Sequence, residues 1–284
     1  MNYLHWLRYS ALVRPFDPAL AGNRVVLIAT AVALLAGFIW SLVLGQGWQT
    51  VLLNSVVFAL AVFGSWSLGR ELLPDDSAAA YVSMVLALLA CLAYAAPGVL
   101  ALYTTLGLVR MVNRSSGLEA SKLDSVLLTL LVIWTVYTCQ NPWFAAVAGL
   151  AFMLDASLNN PARRQLLFAV LSFGTMVVYI VDHDVAWLDI HAPHTLLQWL
   201  AIAAILLFAL HLALLKKVHS RAGPGRKRLN PERVKAGIVV ALLACLQGLD
   251  SMPQFVLLVT TIGGLCLGIA FRRSFRTTTK GLRH

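Results

Sequence analysis

Residues 25–45 read Val-Val-Leu-Ile-Ala-Thr-Ala-Val-Ala-Leu-Leu-Ala-Gly-Phe-Ile-Trp-Ser-Leu-Val-Leu-Gly, an uncharged apolar run close to the roughly 20 residues that carry a helix across a bilayer's hydrocarbon core. Five more runs of similar length follow: Thr50–Gly69, Ala78–Ala96, Leu166–Val181, Thr195–Leu215 and Phe255–Phe271. Four shorter ones lie among them: Val99–Val109, Val126–Cys139, Trp143–Leu154 and Ala236–Leu249. Breaks fall where turn chemistry asks for them, at Pro97-Gly98, Asn141-Pro142 and Met252-Pro253. The spacing predicts an all-α polytopic membrane bundle of about ten transmembrane helices. Segments of 10–14 apolar residues can also re-enter rather than cross, so residues 126–139 with 143–154 leave an eight-span alternative with the same parity.

Composition agrees. Of 284 residues 60% are hydrophobic and only 12% charged, against about 25% charged in a typical soluble domain. Too few charges are present to cover a soluble surface, which excludes a soluble enzyme, a disordered chain and a disulfide-stapled secreted domain. The four cysteines lie in or beside the apolar runs without CxxC spacing and read as packing residues.

Charge orients the bundle. With ten spans and the N-terminus inside, the inner segments are 1–24, 70–77, 110–125, 155–165, 216–235 and 272–284. They hold all 22 Lys and Arg with 8 acids, a net of +14, while the outer connections hold only Asp182, Asp184, Asp189 and Asp250. Positive charge of this kind is retained on the cytoplasmic side. The expected arrangement is an interfacial segment 1–24, one polytopic domain 25–271 with a basic cytoplasmic loop 216–235, and a basic cytoplasmic tail 272–284. Both termini then lie in the cytoplasm, and the expected location is a bacterial inner membrane.

Ionisable residues within spans mark ion pathways and proton relays, and the spans hold almost none. Mid-depth polar residues such as Asn54, Ser83, Thr104, Gln198 and Thr261 suit bonding between helices. Polar chemistry gathers instead in the inner loops. Arg70, Arg110, Asn113, Arg114, Arg163 and Arg164 offer forked N–H donors and a polar turn for phosphate oxygens. Asp75, Asp76, Asp124 and Asp155 offer acid–base groups or ligands for Mg²⁺ held against those oxygens. The ligand these groups imply is a phosphate-bearing lipid at the cytoplasmic face. The plainer reading is that the arginines set topology while Asp76 and Asp124 cap helices.

Two further features carry weaker chemistry. The outer segment 182–194 brings His183, His191 and His194 near carboxylates, ligands that suit a divalent metal, although the spacing fits no known metal motif. The basic loop and tail suit anionic lipid headgroups or an acidic membrane-protein partner. No motif accompanies them that would point to nucleic acid. Beside the lipid-phosphate reading stand a non-catalytic assembly or scaffold subunit and a small-solute permease.

Overall fold

The computed structural model describes residues 10, 12–13, 16–94, 98–185, 193–222 and 227–281. Among them are ten α-helices: α1 (Ala21–Val43), α2 (Trp48–Leu72), α3 (Ser77–Ala93), α4 (Val99–Asn113), α5 (Lys122–Cys139), α6 (Trp143–Ser157), α7 (Gln165–Asp182), α8 (Leu196–Leu214), α9 (Pro231–Leu246) and α10 (Met252–Gly281). Each falls on one of the apolar runs. Six (α1, α2, α5, α7, α8 and α10) are long and apolar enough to cross a membrane. The molecule is a helical membrane protein.

Local chemistry sets the helix starts. Ser121 accepts the backbone N–H of Asp124 while the Asp124 carboxylate accepts the N–H of Ser121, a reciprocal cap that opens α5. Thr195 and Gln198 do the same for α8. Asn230 caps α9, with Pro231 at its first position, where a missing N–H leaves nothing unsatisfied. Asp76 occupies the cap position of α3 but makes no capping bond; its carboxylate is drawn to Arg272 instead. Two features depart from the sequence reading. The loop between α8 and α9 pairs Arg221 with Arg228 and Ala222 with Lys227 as a two-residue antiparallel ladder. Residues 272–281, read as tail, continue α10.

Polar and aromatic contacts sort the helix ends into two sets. At one end, Tyr81 of α3 donates to the carbonyl of Gly22 in α1. There too Arg110 of α4 meets Glu71 of α2, Arg233 of α9 meets Asp155 of α6, Arg272 of α10 meets Asp76 before α3, and Arg164 before α7 donates to the carbonyl of Ala120 before α5. At the other end, the Gly98 N–H before α4 donates to the carbonyl of Pro253 in α10. Phe144 of α6 packs on Phe255 of α10, Tyr137 of α5 on Tyr179 of α7, and Gln198 of α8 donates to the carbonyl of Leu249 after α9. Each helix therefore runs opposite to its neighbours in the chain, and the described Lys and Arg all collect at the first end. Asp182 and Asp184 lie at the second.

The short helices are central. α4 and α6, of 15 residues each, and α9, of 16, pack on one another and bury most of their side chains. At 1.5 Å per residue they rise only about 22–24 Å. The outer helices α1 and α8 turn most of their apolar surface outward, as lipid-facing helices do.

α3 and α10 pack backbone to backbone. A Cβ on Gly264 would come within 2.5 Å of the Cα of Ser83, and one on Gly268 would strike Ala79. Gly264 and Gly268 stand four apart, as do Ala79 and Ser83, so two small-residue faces meet and backbones approach closely. The Ser83 hydroxyl then reaches the Thr261 carbonyl at 2.9 Å. Other mid-depth groups also bond between helices: Thr104 to Thr135 at 2.7 Å, and Asn54 of α2 to Ser41 of α1.

Candidate functional site at the basic end

Two polar assemblies occupy the basic end, and they differ in character. The first is an ion cluster sealed among the central helices. Asp155, wholly buried near the end of α6, accepts Arg233 Nη1 at 2.7 Å and Arg114 Nε at 2.9 Å, both on one carboxylate oxygen. Arg233 also donates to the carbonyls of Val112 and Asn159. Asp155 sits at the carboxyl end of α6 and Arg233 at the amino end of α9, each the unfavourable end of its helix dipole for that sign of charge. Pairing offsets both penalties. Beside them, Arg110 binds the buried Glu71 at 3.2 Å and the carbonyl of Leu12 at 3.1 Å. Asn113 donates to the Glu71 carbonyl at 3.0 Å.

The second assembly is open. The α2–α3 turn, the end of α8, residues 269–272 of α10, the start of α9 and the segment 218–220 line an open cavity of about 730 Å³. Leu72, Leu215, Val218, Val234 and Ile269 make its apolar wall, and Asp75, Asp76, His211, His219, Ser220 and Arg272 its polar one. Asp75 accepts the backbone N–H groups of His219 and Ser220 at 2.8 and 2.7 Å and the Ser220 hydroxyl at 2.5 Å. Burial pushes the Asp75 carboxyl up, but the bonds from Ser220 and His219 outweigh it and hold the group below its ordinary value of 3.8. Asp76 pairs with Arg272 at 2.8 Å, with side chains 15% and 42% exposed respectively.

The candidate residues read from the sequence thus divide. Asp75 and Asp76 come together in the cavity. Arg110, Asn113, Arg114 and Asp155 lie in the buried cluster, where acids and carbonyls take most of the arginine donors; Arg114 Nη2 is held only as an ion pair, 2.8 Å from Asp155, without a hydrogen bond of good geometry. Asp124 serves the cap of α5, and Arg164 binds Ala120 and, at 3.6 Å, Glu119. Arg163 is exposed and Arg70 half-buried; neither lines the cavity. Of the outer histidines, His183 stacks on Tyr179 with ring centroids 4.1 Å apart and meets Asp182 at 3.4 Å. The backbone N–H of His194 donates to Gln198, and His191 lies outside the described residues. Among the described residues no three metal-ligating side chains converge.

Arg233, Arg272, Glu71 and His219 escaped the sequence reading. The first two stood only as members of basic runs suited to anionic headgroups or an acidic partner, and the return of α9 and α10 to the basic end separates them from their neighbours. Gly264 and Gly268 did carry a signal, the small-xxx-small spacing within an apolar run. No family model, no curated protein and no solved structure matches the chain.

Proposed function

We propose that this is a ten-span inner-membrane protein with both termini cytoplasmic, and that its cytoplasmic-end cavity binds the head of a phosphate-bearing lipid. The charge asymmetry supports the orientation. Alternation of helix direction supports ten crossings over eight, since α5 runs from Ala120 at the basic end to Tyr137 beside Tyr179 at the other. The observation that carries the function is the cavity itself: one wall of Asp76, Arg272, His219 and Ser220, the other of aliphatic side chains from α2, α8, α9 and α10. A polar head meets the first wall and the start of an acyl chain the second, the division of labour common to small-molecule sites.

Mass spectrometry of the gently solubilised full chain tests this. A phosphate-bearing lipid is retained by the parent and lost in Leu215→Trp, which pushes an indole from the apolar wall into the cavity. It is kept in Arg110→Ala, whose guanidinium already serves Glu71 and Leu12. Retention unaffected by Leu215→Trp refutes the site. A second reading, a permease for a small solute, draws on the three short central helices α4, α6 and α9, whose limited length brings the basic end closer to mid-membrane. It predicts solute flux in proteoliposomes that Leu215→Trp blocks, where lipid binding alone gives none.

A further inference from the structure

Resting on the reading of this cavity as a lipid-head site, the geometry points to a zwitterionic head, a primary ammonium and a phosphate joined by a short linker, as the occupant. The charges on the polar wall decide this. Asp75 is already saturated by His219 and Ser220. Among the described residues of the wall, His211 is engaged in contacts of its own, and the pair Asp76 and Arg272 faces the cavity with 2.8 Å between them. An incoming anion that takes Arg272 strips Asp76, whose side chain is only 15% exposed, of its cation and sets a second negative charge beside it, which is costly. A lone cation that takes Asp76 sets a like charge beside Arg272, at a smaller cost because that side chain is 42% exposed. A head carrying both signs replaces both halves of the pair and leaves the charge of the site unchanged. Its phosphate accepts the forked Arg272 donors, and its ammonium donates to Asp76.

The ammonium is primary rather than quaternary. Quaternary ammonium groups are held by aromatic faces, and among the described residues no Phe, Tyr or Trp lines this cavity. A primary ammonium has N–H donors to give, and Asp76 is an acceptor. The same head chemistry belongs to an ethanolamine phospholipid and to a soluble phosphoethanolamine ester.

Mass spectrometry of the full chain in detergent, titrated separately with phosphatidylethanolamine, phosphatidylcholine and phosphatidylglycerol of matched acyl chains, tests the assignment. The parent is expected to hold phosphatidylethanolamine at least tenfold more tightly than either of the others. Asp76→Asn abolishes that preference over phosphatidylglycerol, Arg272→Gln weakens all three, and Asp76→Glu restores the preference, which separates recognition from folding. Displacement by soluble glycerophosphoethanolamine marks a free solute as the source of the head; resistance to it marks the intact lipid, and the head chemistry is supported by either. Phosphatidylglycerol bound as tightly as phosphatidylethanolamine by the parent, or a preference that survives in Asp76→Asn, overturns the zwitterion. If Leu215→Trp still removes the lipid in that case, only this inference fails and the cavity reading stands. If Leu215→Trp changes no lipid, both fall.

Discussion

Replacing Asp155 with Asn is the sharpest perturbation of the basic end. The carboxylate is wholly buried and neutralises one of two guanidiniums, Arg233 at 2.7 Å and Arg114 at 2.8 Å. Intact, the trio carries a net charge of +1; with Asn it carries +2 and keeps at most a neutral hydrogen bond. At an effective dielectric of about 20, unit charges about 4 Å apart interact by about 4 kcal/mol. That matches the roughly 3–5 kcal/mol lost when one partner of a buried pair is deleted. About 3 kcal/mol is expected, because the amide oxygen still accepts. With about 2–4 °C of midpoint shift per kcal/mol for larger domains, thermal unfolding in detergent should begin about 6–12 °C lower. The companion variants have a fixed order. Arg114→Ala leaves a neutral Arg233–Asp155 pair and costs least of the three. Arg233→Ala costs more, because the carbonyls of Val112 and Asn159 lose their donor as well. A midpoint for Asp155→Asn within 2 °C of the parent, or a larger loss for Arg114→Ala than for Arg233→Ala, would refute the charge accounting.

Gly268→Leu should force α3 and α10 apart and lower the unfolding midpoint at least as much as Asp155→Asn, while Gly174→Ala, where a Cβ meets nothing, should leave it unchanged; equal effects would sink the close-packing argument. Asp124→Ala removes one half of the α5 cap and should cost about 1 kcal/mol without altering lipid retention, so loss of lipid with full stability would return Asp124 to the binding site. Because the Asp75 carboxyl lies below 3.8 in the folded protein, the clasp it forms on residues 219–220 is fully present above that value and is lost as pH falls through the lowered one. Hydrogen exchange at the His219 and Ser220 amides should therefore stay protected at pH 5, and in Asp75→Asn it should speed up already at neutral pH. Cysteines placed at Gly45 and at Leu118 should label from opposite faces of an intact membrane; labelling from one face would end the ten-span topology.

How far the sequence carried each element follows from what kind of information it held. The run 25–45 and its nine fellows fixed where helices form, because burial in hydrocarbon depends on composition along the chain and needs no partner to be legible. Caps were legible for the same reason: Thr195 and Gln198 stand three residues apart, within reach of each other's backbone. Asp76 shows the limit. Its place before α3 looked like a cap, yet Arg272, 196 residues further on, outcompetes the local N–H groups for its carboxylate.

The sequence by itself determined that this chain is a helical membrane protein, where its helices begin and which ends carry the positive charge, because those properties are sums over local stretches. Only the tertiary structure decided which charges neutralise one another and which still face a cavity. Arg114 and Arg272 look alike in a loop or a tail. One is sealed between α4, α6 and α9 against Asp155, and the other stands open beside Asp76, because pairing depends on which helix ends meet across the bundle, and no local spacing encodes that.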